Sequence, residues 1–528
     1  MGRSLHIIVL ALAVVAYGLL KAAPGAFRQD PEDAAVQQLQ LELDAEVERG
    51  AVGRLATALS FATLANSSAP NHIGNPAPFQ QLHDFLERSF PLVYERLKHE
   101  RVSEYSILFT WQGSNPELRP VLAMSHMDVV PAPEGPGYNW THPPFSGTVA
   151  DGYIWGRGAL DVKVTVLQQL EAVAALLRQG YAPQRTILLA FGHDEEVGGG
   201  SGAGAMAALL ASRGVELELV LDEGGIVLMD GVSGPNFKLV ERPVALIGTA
   251  EKGIEDWEIR VAGVGGHSSM PPTDGSSVAA RISRVLAAMD AYPTPTKLGA
   301  PVTDWLQALA PAVKLAPLRM LLQNANNWIV NPVLGQLLGQ AGKEINPFVR
   351  TTCGVVQIEA GGIAHNVLPR SGSIKVNCRL LPGHDSSFVQ EYLEMVTRKE
   401  AAHVTLHKLP LGSVPASHVA ASSGPHWQLI KQAILETLQP PGGLQVAPYL
   451  VSGMTDSRHY SSLAGGRVYR FCPHRYTRAD IGRVHGVDER IAAEDFLRGI
   501  GYYRRILQLA SADESSTEAG PEGAAATA

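Results

Sequence analysis

LLAFGHDEEVGGG, residues 188–200, is an apolar run that stops at His193, Asp194, Glu195 and Glu196 and then gives way to glycines. A short continuous apolar run bounded by turn residues reads as a strand buried on both faces of a sheet. Its tip therefore delivers three adjacent acids to a place where ionised groups are costly unless something pairs with them. The pattern recurs on either side. Residues 120–124 (PVLAM) lead into Ser125, His126, Met127 and Asp128, and residues 217–221 (LELVL) lead into Asp222 and Glu223.

Helices separate these strands. A short strand at 152–155 and the segment ending in Asp161 precede an amphipathic helix at 162–179, and a second helix follows at 203–213. Alternating strands and helices predict an α/β fold, a mostly parallel sheet with helices on both faces. Ligands in such folds sit beyond the carboxyl ends of the strands. His126, Asp128, Glu195, Glu196 and Asp222 all fall at that rim. One acid after a strand is ordinarily a solvated turn or a helix cap; several from separate strands need a cation to hold them together.

At 528 residues the chain exceeds the size at which a single core stops growing, so two domains are expected. With 45% hydrophobic and 18% charged residues it reads as globular, and a net charge of -8 argues against a nucleic-acid partner and for a small-molecule substrate. Arg3 followed by the apolar run 7–20 has the length of a signal-peptide core, so residues 1–25 are read as a signal peptide and the protein as secreted. The alternative is an uncleaved luminal membrane anchor beside Lys21. Asn66 and Asn139 each begin an N-glycosylation triplet, as that route permits. Three cysteines, Cys353, Cys378 and Cys472, allow one bridge at most and are expected as buried or free thiols. The tail 511–528 is rich in Ala, Glu, Ser and Gly and is expected to be disordered.

Seven blocks then occur in a fixed order: SHMDVVP (125–131), GRGALDVKV (156–164), GHDEEVGG (192–199), VLDEGG (220–225), GGHSSMPP (265–272), HNVLP (365–369) and RVHGVDE (483–489). Together they resemble the co-catalytic zinc aminoacylases and carboxypeptidases, across residues 52–507. The resemblance implies two Zn2+ per subunit. His126 and Asp222 would hold the first, Glu196 and His485 the second, and Asp161 would bridge them. Asp128 would orient His126, and Glu195 would be the general base. It also implies a catalytic domain in two parts, 50–247 and 413–510, around an α+β lid at 248–412. There His267 and Asn366 would serve the carbonyl oxygen and Arg379 the substrate carboxylate, with His267 acting either across a homodimer, as in the family, or within its own subunit.

These assignments are chemically coherent. Imidazole and carboxylate donors suit zinc, and two such ions can clamp an attacking water and a scissile carbonyl. Neighbouring side chains in an extended segment diverge, so Glu196 can face a metal while Glu195 faces the water. His193 reads as a packing residue and Asp194 as a solvated or backbone-bonding one.

One stretch departs from the compact members of this family: an apolar, proline-broken insertion at about 292–349. It reads either as extra helical core or interface, including the surface smaller members use to dimerise, or as a wall for a long acyl chain. With the leader, it brings the chain nearest to the secreted branch acting on N-fatty-acyl amino acids. The expected activity is hydrolysis of an N-acyl amino acid to fatty acid and amino acid, with the reverse condensation, and with lipoprotein or lipid-surface association. A dipeptidase or carboxypeptidase is the enzymatic alternative. A non-catalytic carrier of lipidated amino acids is disfavoured because Glu195 and every ligand position are intact.

Overall fold

Burial on both faces of the sheet runs through the centre of the molecule. In the computed structural model, which describes residues 45–233, 238–361, 364–410 and 413–512, the strands Val121–His126 and Ile187–Gly192 are buried at every position. Val121, Ala123, Ile187, Leu189 and Phe191 enter one hydrophobic core, while Leu122, Met124, Leu188 and Ala190 enter another on the opposite face. Continuous apolar sequence is thus what a sheet covered on both sides requires. These strands lie parallel at the middle of a ten-stranded sheet, with Leu219–Asp222 and Val468–Arg470 continuing the parallel pairing. Antiparallel strands Lys98–Val102 and Ser106–Trp111 close one edge.

The helix Lys163–Arg178, buried from Lys163 through Leu176, lies on the first face against Ala493–Ser511, with Ala45–Leu59 and Pro425–Leu438 beside them. Ala203–Ser212 covers the other face through Ala203, Met206, Ala207 and Leu210. The signal-peptide reading of 1–25 and all but the first two residues of the expected disordered tail fall outside the described residues.

A second sheet, wholly antiparallel, runs in the order Thr352–Glu359, Ser371–Leu380, Gly253–Ala262, Val404–Lys408. Trp257, Ile259, Val261, Ile374 and Val376 point to one face, where the helices Val278–Ala291 and Ser386–Thr397 cover them. Cys353 on the edge strand and Cys378 on its inner neighbour oppose each other and form a disulfide, which corrects the expectation of thiols; Cys472 is free and buried.

The apolar insertion folds into three short helices, Val302–Leu309, Ala316–Gln323 and Val330–Leu338. They do not extend the second sheet. Val302, Trp305, Leu306 and Leu309 pack with Val244, Leu246, Ala447 and Leu450, on the flank of the main sheet.

Candidate metal centre

His126 ends a buried strand, and its Nδ1 faces the Asp128 carbonyl oxygen at 3.0 Å, which leaves Nε2 facing the acids. Nε2 lies 3.1 Å from Asp161 Oδ1 and 3.3 Å from Glu223 Oε1. The other carboxylate oxygen of Asp161, Oδ2, sits 2.9 Å from His485 Nε2, and that nitrogen is 3.3 Å from Glu196 Oε1. Asp161 therefore stands between the two imidazoles with one oxygen toward each. Two groups of donor atoms, one from His126, Asp161 and Glu196 and the other from His126, Glu195 and Glu223, each lie within 4.8 Å of one another. Glu196 Oε1 is buried and makes no hydrogen bond.

The second acid of VLDEGG, not the first, faces this cluster. Asp222, expected as a ligand, is the last residue of its strand and points to the same face as Val220; its Oδ2 accepts the Ser457 amide at 2.9 Å. Glu223 lies one residue beyond the strand and turns to His126. The expectation for Asp222 is corrected accordingly.

The loop that opens the sequence reading also differs in detail. Glu195–Val197 is a turn of 3-10 helix rather than extended chain. Successive side chains still diverge, because three residues complete a turn. Asp128, fully buried, accepts the Glu195 amide on Oδ1 and the Glu196 amide on Oδ2, both at 3.1 Å. It thereby fixes Glu195 and Glu196 at once. Asp194 is buried rather than solvated and accepts the Ser201 and Gly202 amides at 2.8 and 2.9 Å, with His72 Nδ1 2.7 Å from its Oδ2. His193 is buried, 2.7 Å from Ser106 Oγ and 3.0 Å from the Asn71 carbonyl. Gly199 has a φ of +65°, and a Cβ there would fall 1.8 Å from Asp456 Oδ1, so only glycine fits.

Electrostatics follow from crowding. Burial raises Glu195 well above the usual carboxylate range, with Glu223, Asp456 and Glu196 adding to it against the pull of His126. Glu223 is pushed up to about 8 by burial and by Asp161. Hydrogen bonds that His485 donates to Asp161 and Glu196 lift it to about 10. Acids held this close are short of positive charge, a deficit that divalent cations would make good.

Sequence reading missed the support behind Asp161. Glu489 is fully buried and pairs with Arg157; its Oε1 accepts the amides of Gly158, Leu160 and Asp161 at 3.0, 2.8 and 3.2 Å. Both partners stood within quoted blocks, but only the fold brings residue 157 to residue 489. Burial pushes Glu489 up to about 7, with Arg157 opposing it.

The expected substrate-binding residues make their hydrogen bonds within the second sheet and a short ribbon. His267 and Asn366 meet on a short ribbon, where the Ser268 amide donates to the Asn366 carbonyl at 2.9 Å and exposed His267 has Nδ1 2.7 Å from Ser269 Oγ. Arg379, between Ile254 and Thr352 in the second sheet, donates from Nε to Asn377 Oδ1 at 3.3 Å. Among the described residues, no hydrogen bond or ion pair links these three to the carboxylate–imidazole cluster. Asn66 and Asn139 are both exposed.

The chain is 35% identical over 444 residues, 83% of each chain, to the N-fatty-acyl-amino acid synthase/hydrolase PM20D1 of Mus musculus. It is 32% identical over 456 residues to the probable carboxypeptidase S-like 2 of Dictyostelium discoideum, covering 86% of this chain and 84% of that protein. Among solved structures it shares its fold with the Bacillus subtilis YXEP protein, described as a dinuclear metal binding peptidase: the TM-score is 0.54 and the identity 12%, over 88% of this chain and 99% of that one. The profile of peptidase family M20/M25/M40 matches residues 122–509, and the chain belongs to that family, as a metal-dependent hydrolase of amide bonds.

Proposed function

We propose that the protein cleaves N-fatty-acyl amino acids to a fatty acid and an amino acid, and catalyses the reverse condensation. The observation that carries this reading is a cavity of about 540 Å3 that begins at Asp161 and Glu223 and continues between apolar side chains, among them Ile226, Leu228, Leu246 and Tyr449. Trp305, Ile345 and Phe348, all from the insertion, complete the wall. A volume of this order accommodates a drug-sized ligand, and a wall of carbon favours a hydrocarbon chain over the polar backbone of a peptide. The likeness to the synthase/hydrolase of Mus musculus supports the same substrate class.

His126, Asp161 and Glu223 would hold one Zn2+, and Asp161, Glu196 and His485 the other, a nitrogen and oxygen donor set that zinc accepts. When bound, the two ions supply Lewis-acid polarisation of the carbonyl and a water of lowered pKa. Glu195 takes the proton of the attacking water and delivers it to the departing nitrogen. Asp128 holds Glu195 in place through its backbone amide. Arg379 would receive the free carboxylate of the amino acid, for which a guanidinium offers paired donors.

His267 and Asn366 would act on the carbonyl oxygen from a partner subunit. The exposure of both residues supports this, as does the exposed outer strand Thr352–Glu359, with Val356 and Ile358 open for pairing in a homodimer. Secretion is supported by the leader, by the exposed sequons and by the Cys353–Cys378 bridge, since disulfides persist in oxidising compartments. Leu315 and Trp328 on the insertion, 63% and 82% accessible, support association with a lipid or lipoprotein surface.

A series of N-acyl phenylalanines of increasing chain length tests the reading. Each methylene buried in the cavity contributes roughly 0.8 kcal/mol, so kcat/KM is expected to rise about fourfold per methylene until the cavity is full. A flat series, or faster cleavage of a blocked dipeptide than of N-oleoyl-phenylalanine, would favour the peptidase alternative.

A further inference from the structure

Lys252 is the single residue between the strand Val244–Glu251 of the main sheet and Gly253–Ala262 of the second sheet. Its side chain is 1% exposed. Its Nζ donates to the carbonyl oxygens of Pro347 at 2.9 Å and Arg350 at 2.8 Å and reaches Thr352 Oγ1 at 3.5 Å. Among the described residues no carboxylate pairs with it. A buried ammonium without a counterion is costly, and a neutral apolar residue would fill the site at less expense. The two carbonyls it holds flank Phe348 and Val349. The short turn Asn346–Phe348 sets the Phe348 ring 5.4 Å from Tyr449 and 6.0 Å from Trp305, within the cavity wall, while Val349 is fully buried.

We infer that Lys252 is a positioning residue for acyl-chain recognition: by fastening both sides of the 346–350 turn to the domain junction, it presses Phe348 and Ile345 against the substrate cavity. The inference rests on reading that cavity as the acyl site. Burial, with Arg379 nearby, lowers the Lys252 ammonium to about 7, in keeping with an amine spent on carbonyl contacts instead of an ion pair. Lys252 thus ties the insertion to the point where the main sheet passes into the sheet bearing Arg379.

The test compares Lys252→Met with the wild type, both as metal-loaded full-length protein, on N-acetyl- and N-oleoyl-phenylalanine. Efficiency on the oleoyl substrate is expected to fall tenfold or more, chiefly through KM, and on the acetyl substrate less than threefold. Phe348→Ala should reproduce this split, and the double variant should be little worse than either single one. Equal losses on both substrates, or additive effects of the two substitutions, would overturn the role. If Lys252→Met does not fold, Lys252→Arg, whose larger forked head displaces the turn while keeping the charge, is read by the same split. A wild-type enzyme indifferent to acyl length would remove the reading of the cavity itself, an outcome distinct from a variant that keeps the wild-type dependence on length.

Discussion

Replacement of Glu195 by Gln is expected to leave the bound metal unchanged and to lower kcat by a factor on the order of 10²–10⁴, the usual contribution of a positioned acid–base group. The substitution keeps size and shape. It also keeps the backbone amide that donates to Asp128 Oδ1 at 3.1 Å, so the 3-10 turn and the neighbouring Glu196 should stay where they are. What is lost is the capacity to accept a proton. Because the base must be ionised to accept a proton, the wild-type enzyme should lose activity as pH falls through the Glu195 pKa of the metal-loaded site. Gln has no such titration, so the residual activity of the variant should lack this acid limb. Kinetics across pH with metal analysis of the same samples would measure both; near-wild-type turnover by Glu195→Gln would remove the base assignment.

The paired variants Glu223→Gln and Asp222→Asn should separate by a wide margin although the residues are adjacent. Glu223 Oε1 lies 3.3 Å from His126 Nε2, so its replacement should release one of two metal equivalents and lower turnover by at least a hundredfold. Asp222 accepts the Ser457 amide, and Asn can still accept it through its carbonyl. Asp222→Asn should therefore retain both equivalents and cost less than about 1 kcal/mol of stability, the scale of a hydrogen bond lost outright. Elemental analysis and urea unfolding give the two readouts. Loss of metal from Asp222→Asn with retention by Glu223→Gln would restore the original assignment.

That pair shows where sequence reading ended. That the strands form a covered sheet with the acids at one rim was legible because uninterrupted apolar runs such as 187–192 can satisfy both faces only inside such a sheet. Which of two adjacent acids turns to the rim depends on the residue at which a strand stops, and a shift of one reverses every side chain. The same limit applies to Glu195 and Glu196, whose divergence was anticipated but from extended chain rather than from a 3-10 turn. Arg157 and Glu489 illustrate a different limit: their pairing joins points 332 residues apart, and no local pattern carries that information. The insertion was visible as apolar and helical, yet its seat on the main sheet beside Leu246 and Tyr449 followed only from packing. Cys353 and Cys378 needed strand register before they could be joined.

The central claim is a centre for two metal ions divided by Asp161. Anomalous diffraction at the zinc edge from crystals of the purified protein tests it most directly. The expected map holds two peaks about 3.5–4 Å apart, both bonded by Asp161, one also by His126 and Glu223 and the other by Glu196 and His485. A single peak, or two peaks that Asp161 does not join, would contradict it.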